Sequence, residues 1–191
     1  MSNESVIWIG NDHGGFELKM QIIDHLAERG ICVHDVGSAS TDIVRYPLFA
    51  AQVAQAVQRG EANRGILICS TGIGMSIIAN RYRGVRASLC TSVYMGKMTR
   101  AHNDSNILCL GGKITARADA LEILDAWLDT PYEGGRHDIS LGLIREAEAA
   151  ISKCGMWEPL DYTPTGENKA SIDGQRSGAN RQTNTAKGLR E

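Results

Sequence analysis

The chain has no large excess of charge of either sign: 20 Lys and Arg stand against 22 Asp and Glu, a formal net charge of -2. A protein that grips a phosphate backbone needs many uncompensated cations, so nucleic acid is not the expected partner. Long apolar runs are also missing, which argues against a membrane span. The N-terminal MSNESVIWIGND lacks a basic stretch followed by an apolar core, and a cytoplasmic location is expected. Five cysteines form no C-x-x-C pair, so neither a disulfide framework nor a paired thiol site is expected. Cys32, Cys90 and Cys109 have apolar neighbours and read as small core residues, whereas Cys69 stands apart. No internal repeat or low-complexity core interrupts the pattern.

The 191 residues suffice for one well-buried domain with a tail, not for two full domains. Short β-rich runs alternate with longer stretches of helical period, the pattern of an α/β domain with a mainly parallel sheet. Five strands are expected, at 5–10, 31–36, 65–70, 85–90 and 106–111. Phe16, Met20, Ile23 and Leu26 mark a first helix, and Gly30 supplies its left-handed stop. Pro47 suits the first position of a second helix that ends at Gly60. A third precedes Pro131, and a last one is expected from Ser140. The domain is placed over 1–158. Residues 159–191, poor in large apolar side chains, read as a flexible extension or as an arm that wraps a partner subunit.

In open parallel sheets, ligands bind beyond the carboxyl ends of the strands. Three polar turns fall there: Asn11 to Gly15, Ser70 to Gly74, and Gly111 to Lys113. The second turn fails the tests of several known devices. A dinucleotide fingerprint needs glycine at position 77, which is Ile77; a Walker loop needs Gly-Lys-Ser/Thr, which is missing. A cysteine-phosphatase loop needs arginine at position 75, which is Met75. What remains is a thiol, Cys69, at a strand end facing backbone N-H groups and a helix start, which favour its charged form. It reads either as a nucleophile or base, or as a buried cysteine before a small turn. Asp12 has two readings too, a helix cap or a site residue. His102, Asn103 and Asp104 precede a strand without an evident turn requirement, and YEGGRHD puts Arg136 and His137 on a glycine-flanked loop.

Taken together, NDHGGFELK, ILICSTGIGMSIIANR, the R-A-x-L-C strand, RAHNDSNILCLGGK and YEGGRHD resemble, in order and spacing, the ribose-5-phosphate isomerase B and galactose-6-phosphate isomerase family. The resemblance spans about Val6 to Ile151. It implies a Rossmann-like three-layer α/β/α sandwich with a five-stranded parallel sheet, and a cofactor-free, metal-free aldose-ketose isomerase that works on a sugar phosphate through an enediolate. It further implies a homodimer or homotetramer with shared active sites. By motif, Cys69 looks like the base between C1 and C2, Thr71 assists ring opening or the proton shuttle, and His102 is the ring-opening acid. The turn that holds Ser70, Gly72, Gly74 and Ser76 would be the anion hole. Asn103 would contact the enediolate from the neighbouring subunit, and Asp12 a hydroxyl or the ring oxygen. His13, Lys113 and Arg136 would hold the phosphate, with Tyr46 among the substrate contacts. Three positions depart from the ribose-5-phosphate pattern: Arg45 replaces an aspartate, Lys113 an arginine and Ser140 a second arginine. Ribose 5-phosphate is the expected substrate; a tetrose or hexose phosphate, or a non-catalytic sugar-phosphate-binding subunit, is the alternative.

Overall fold

The computed structural model describes residues 6–154. Five strands form one sheet in the order β2-β1-β3-β5-β4, every pair parallel. The inner strands are β1 (Ile7–Asn11), β3 (Arg64–Cys69) and β5 (Ile107–Gly111); β2 (Val33–Asp35) and β4 (Ala87–Leu89) form the edges. All of β5 and nearly all of β3 are buried, which is why both read as unbroken apolar runs rather than alternating ones. The edge strands are three residues long, shorter than the sequence suggests. Cys32 lies just outside β2 and is exposed, contrary to the expected core position, because no strand flanks that edge. Cys90 and Cys109 are buried as expected.

The two-residue period of β3 sends alternate side chains to opposite layers. Ile66 and Ile68 meet Leu18, Ile22 and Leu26 of α1 (Phe16–Glu28) and Ile123, Leu124 and Trp127 of α5 (Arg117–Asp129). Leu67 and Cys69 meet Val53 and Ala54 of α2 (Tyr46–Gln58) and Met75 and Ala79 of α3 (Ile73–Ala79). α4 (Val93–Asn103) joins the α5 layer, so close at Gly96 that an added Cβ would lie 2.9 Å from the Ile123 carbonyl oxygen. The result is the Rossmann-like α/β/α sandwich. Right-handed crossovers require this division, since leftward steps across the sheet use one face and rightward steps the other.

Helix ends follow local chemistry. α1 gives way to Gly30 at φ 70° and α2 to Gly60 at φ 73°. α2 opens at Tyr46, one residue before Pro47. α6 (Arg136–Cys154) begins four residues before the expected Ser140. Gly134 and Gly135, both at positive φ, turn the chain directly into it, and its polar first turn carries no apolar period for a sequence reading to detect. Arg136 and His137 therefore open a helix instead of lying on a loop. The boundary at 158/159 and the expected extension lie outside the described residues. Among the described residues no helix is long and apolar enough to cross a membrane.

One buried cation was not legible. Lys19, 2% exposed on α1, donates from Nζ to Asp35 Oδ2 and to the Ser38 carbonyl, each at 2.8 Å. It fastens the segment between β2 and α2 to the sheet. Lys19→Met is expected to lower unfolding free energy by about 2 kcal/mol, below the usual loss for a fully buried pair because Asp35 is partly solvated. Urea unfolding measures it; a change under 0.5 kcal/mol would mean, on the order of ordinary surface effects, that water replaces the ammonium.

Candidate active site

The turns after β1, β3 and β5 converge because glycine lets their backbones touch. An added Cβ on Gly14 would lie 2.2 Å from Ser70 Oγ, and one on Gly112 would lie 2.5 Å from the Gly14 carbonyl oxygen. Backbone bonds lock the contact: Gly112 N-H donates to the Cys69 carbonyl at 2.7 Å and Lys113 N-H to the Ser70 carbonyl at 3.0 Å. Gly72, at φ 76°, is the left-handed residue that breaks β3 into α3; a Cβ there would sit 2.9 Å from the Leu110 carbonyl. This is the crevice at the carboxyl edge of the sheet, between β1 and β3, where the connections turn from one side of the sheet to the other.

Cys69 ends β3 and is buried, and the Gly72 N-H donates to its Sγ at 3.0 Å. That donor is fixed by the turn. Cys90 and Cys109 lie in the core. Burial pushes the Cys90 thiol up to about 12 and the Cys109 thiol well above its ordinary range, so both are inert core groups. Thr71 Oγ1 accepts from the Ile73 N-H at 3.4 Å. Ser76 Oγ donates to the Ile73 carbonyl at 2.8 Å, within α3. Gly74 faces the Tyr46 ring, 2.7 Å from an added Cβ, so α2 closes one side of the crevice.

Asp12 is 6% exposed, and its Oδ1 accepts from the Gly14 N-H at 2.8 Å. It braces the turn; α1 itself starts from Gly15 with no side-chain cap, so the helix-cap reading of Asp12 is corrected. His13 Nδ1 accepts from the Val44 N-H at 3.4 Å, tying the β1 turn to the segment that leads into α2. Lys113 is exposed beside them. The structure thus brings together Asp12, His13, Tyr46, Ser70, Thr71, Gly72, Gly74, Ser76 and Lys113 around Cys69.

It does not bring His102, Asn103 or Arg136 there. α4 runs back from the carboxyl edge of β4, so His102 and Asn103 end at the opposite edge of the sheet. Arg86, next to the start of β4, marks that edge: its Nε donates to the Asn103 and Asp104 carbonyls at 3.0 and 2.9 Å. Five residue steps along β3 separate the two edges, roughly 17 Å at strand rise. Asp104 does have a turn requirement: it sits at φ 45° as the α4 cap, bridging Arg86 and Arg100 at 2.9 and 2.8 Å. It is structural. His102 stacks on His137 with ring centroids 4.2 Å apart, and both Nε2 atoms face Glu133 Oε2, at 3.7 and 3.6 Å. Sequence reading missed Glu133 as a neighbour of His102. The i,i+4 spacing of Glu133 and His137 was visible, but nothing local says that this loop meets the end of α4.

The sequence pattern described as Ribose/Galactose Isomerase matches residues 7–144. The chain belongs to that family. It is 49% identical over 142 residues to ribose-5-phosphate isomerase B of Escherichia coli strain K12, covering 74% of this chain and 95% of that protein. Among solved structures, ribose-5-phosphate isomerase B of Clostridium thermocellum superimposes with a TM-score of 0.75 at 48% identity, covering 76% of this chain and 99% of that one. The Mycoplasma genitalium ribose-5-phosphate isomerase B, solved with bound ribulose 5-phosphate, gives 0.73 at 36% identity, covering 75% and 96%. This member of the isomerase family is accordingly an aldose-ketose sugar-phosphate isomerase, and its conformity extends over the sandwich described above.

Proposed function

We propose that the protein interconverts ribose 5-phosphate and ribulose 5-phosphate in the cytoplasm, as a homodimer or homotetramer whose active sites are shared between subunits. The observation that carries the chemistry is the Cys69 thiol at the sheet crevice with the Gly72 N-H fixed on its sulfur at 3.0 Å. As thiolate, Cys69 removes the proton from C2 of the aldose and returns it to C1, while a proton moves between the two oxygens. Charge appears on those oxygens in the enediolate, so fixed donors on the Ser70 to Ser76 turn stabilise the transition state more than the ground state. Thr71 relays protons there. Asp12 contacts a substrate hydroxyl or the ring oxygen, and Tyr46 walls the crevice.

Substrate enters mostly as a ring, which must open first. His102 gives its proton to the ring oxygen as the C1-O bond breaks, and the C1 hydroxyl passes its own through the Thr71 hydroxyl to water. Because His102, Asn103 and Arg136 stand at the opposite sheet edge from their own Cys69, they are suited to the crevice of a second copy. The partner then brings the acid, an enediolate contact and one phosphate ligand; His13 and Lys113 hold the phosphate from the Cys69 side.

Proton NMR in D2O with ribose 5-phosphate and a panel of tetrose, other pentose and hexose phosphates tests this reading. The expected result is turnover fastest with ribose 5-phosphate, with deuterium appearing on the carbon next to the carbonyl. Faster turnover of a tetrose or hexose phosphate would move the specificity and point to Arg45, Lys113 and Ser140. Binding without exchange for every sugar would overturn the assignment.

A further inference from the structure

We propose that His102, Glu133 and His137 form a binding site for one divalent transition-metal ion of the zinc class, and that the bound ion blocks turnover. One ring nitrogen each of His102 and His137 and a Glu133 carboxylate oxygen lie within 4.8 Å of one another. The two histidine-to-glutamate separations are 3.7 and 3.6 Å. A tetrahedral zinc ion with bonds near 2.0–2.1 Å sets its ligand atoms about 3.3 Å apart. Closing the group on an ion therefore asks for shifts of a few tenths of an ångström at Glu133 and for a tilt of the two stacked rings, so that their in-plane lone pairs converge on one point.

The donor set and its framework both favour a metal. Two imidazoles with one carboxylate suit zinc, cobalt or nickel, whereas calcium and magnesium seek all-oxygen sites. Three protein ligands leave a fourth position open to water or a substrate oxygen. Each ligand is carried by pinned backbone: His102 is in the last turn of α4, and Glu133 N-H donates to the Ala101 carbonyl at 3.0 Å. His137 N-H donates to the Gly134 carbonyl at 3.2 Å, and Tyr132 OH holds Asp138 at 2.8 Å in the same turn. One group competes. Arg136 Nε points at His137 Nε2 from 3.4 Å, and this exposed side chain must swing away when the metal enters.

The blocking effect rests on the reading of His102 as the ring-opening acid. A lone pair donated to zinc cannot hold the proton that ring opening needs. Metal binding itself does not depend on that reading, and neither Glu133 nor His137 is assigned a part in the isomerisation.

The test titrates the full-length protein with Zn2+ against a chromophoric chelator, and with Co2+ for visible absorption. One ion per chain is expected, unaffected by Cys69→Ala. Affinity should fall on the order of a hundredfold in His137→Asn and be weakened in Glu133→Gln, as loss of one of three ligands requires. Melting curves of the two variants show whether they are folded. In parallel, zinc should stop turnover by the native enzyme at the concentration where the site fills, and His137→Asn should resist. Unchanged binding in both His137→Asn and Glu133→Gln, or binding lost with Cys69, would overturn the site. Zinc bound here with turnover intact would overturn the block and the acid role of His102, while leaving the role of Cys69 standing.

Discussion

Cys69→Ala should lower kcat for ribose 5-phosphate by about a thousandfold, the contribution a positioned base makes, with KM changed little. The sulfur sits beside the reacting carbon and makes no contact expected to bind the distal phosphate, so the loss belongs in the chemical step. Stability should move much less. Truncation leaves a small cavity and an unpaired Gly72 N-H, together costing about 1–2 kcal/mol. Cys69→Ser separates the two effects: its hydroxyl again accepts from Gly72 and restores stability, yet a weakly acidic alcohol is almost never ionised and turnover stays low. Stopped assays of ribulose formation, alongside thermal melts, check both halves. A folded Cys69→Ala enzyme with more than about a tenth of native turnover would remove Cys69 as the base.

Mixing two inactive proteins should restore activity. If each site takes Cys69 from one subunit and His102 from the other, a hybrid dimer of Cys69→Ala and His102→Asn chains has one site with both lesions and one with none. Random assortment makes half of the dimers hybrid, each with half of its sites intact, so recovery should approach about one quarter of native activity. The starting point is geometric: the two residues of one chain stand at opposite ends of the sheet, roughly 17 Å apart along β3. Denaturing and refolding the mixture, with differently tagged chains to count hybrids, gives the measurement. Verified hybrids with no recovered turnover would rule out the shared site.

Much of the carboxyl-edge crevice was readable before any fold was known. Cys69 ends an apolar run and a glycine turn follows, and both features are local. The helix stops at Gly30 and Gly60 were likewise local, since each needs only a left-handed residue at the end of an apolar period. What escaped was either polar or distant. The first turn of α6 has no apolar period, so Arg136 and His137 read as loop. Cys32 has apolar neighbours in sequence but solvent in space, because β2 is an edge. Lys19 follows a helical pattern as an ordinary surface lysine would, and its burial depends on Asp35 and Ser38 folding over it.

By itself the sequence determined the α/β class, the five strands, the helices α1, α2, α5 and most of α6, and the set of chemical groups available, because each rests on periodicity and residue type within a short window; α4, which carries His102, was not among them. Tertiary structure decided the contacts among the groups at the crevice and which groups stand away from it. The strand order β2-β1-β3-β5-β4 brings Asp12, Ser70 and Lys113 to Cys69, while the antiparallel return of α4 carries His102 to the far edge and sets it against Glu133 and His137. No local pattern encodes that division. It follows from crossover handedness and from burying both faces of the sheet, which are constraints on the whole chain.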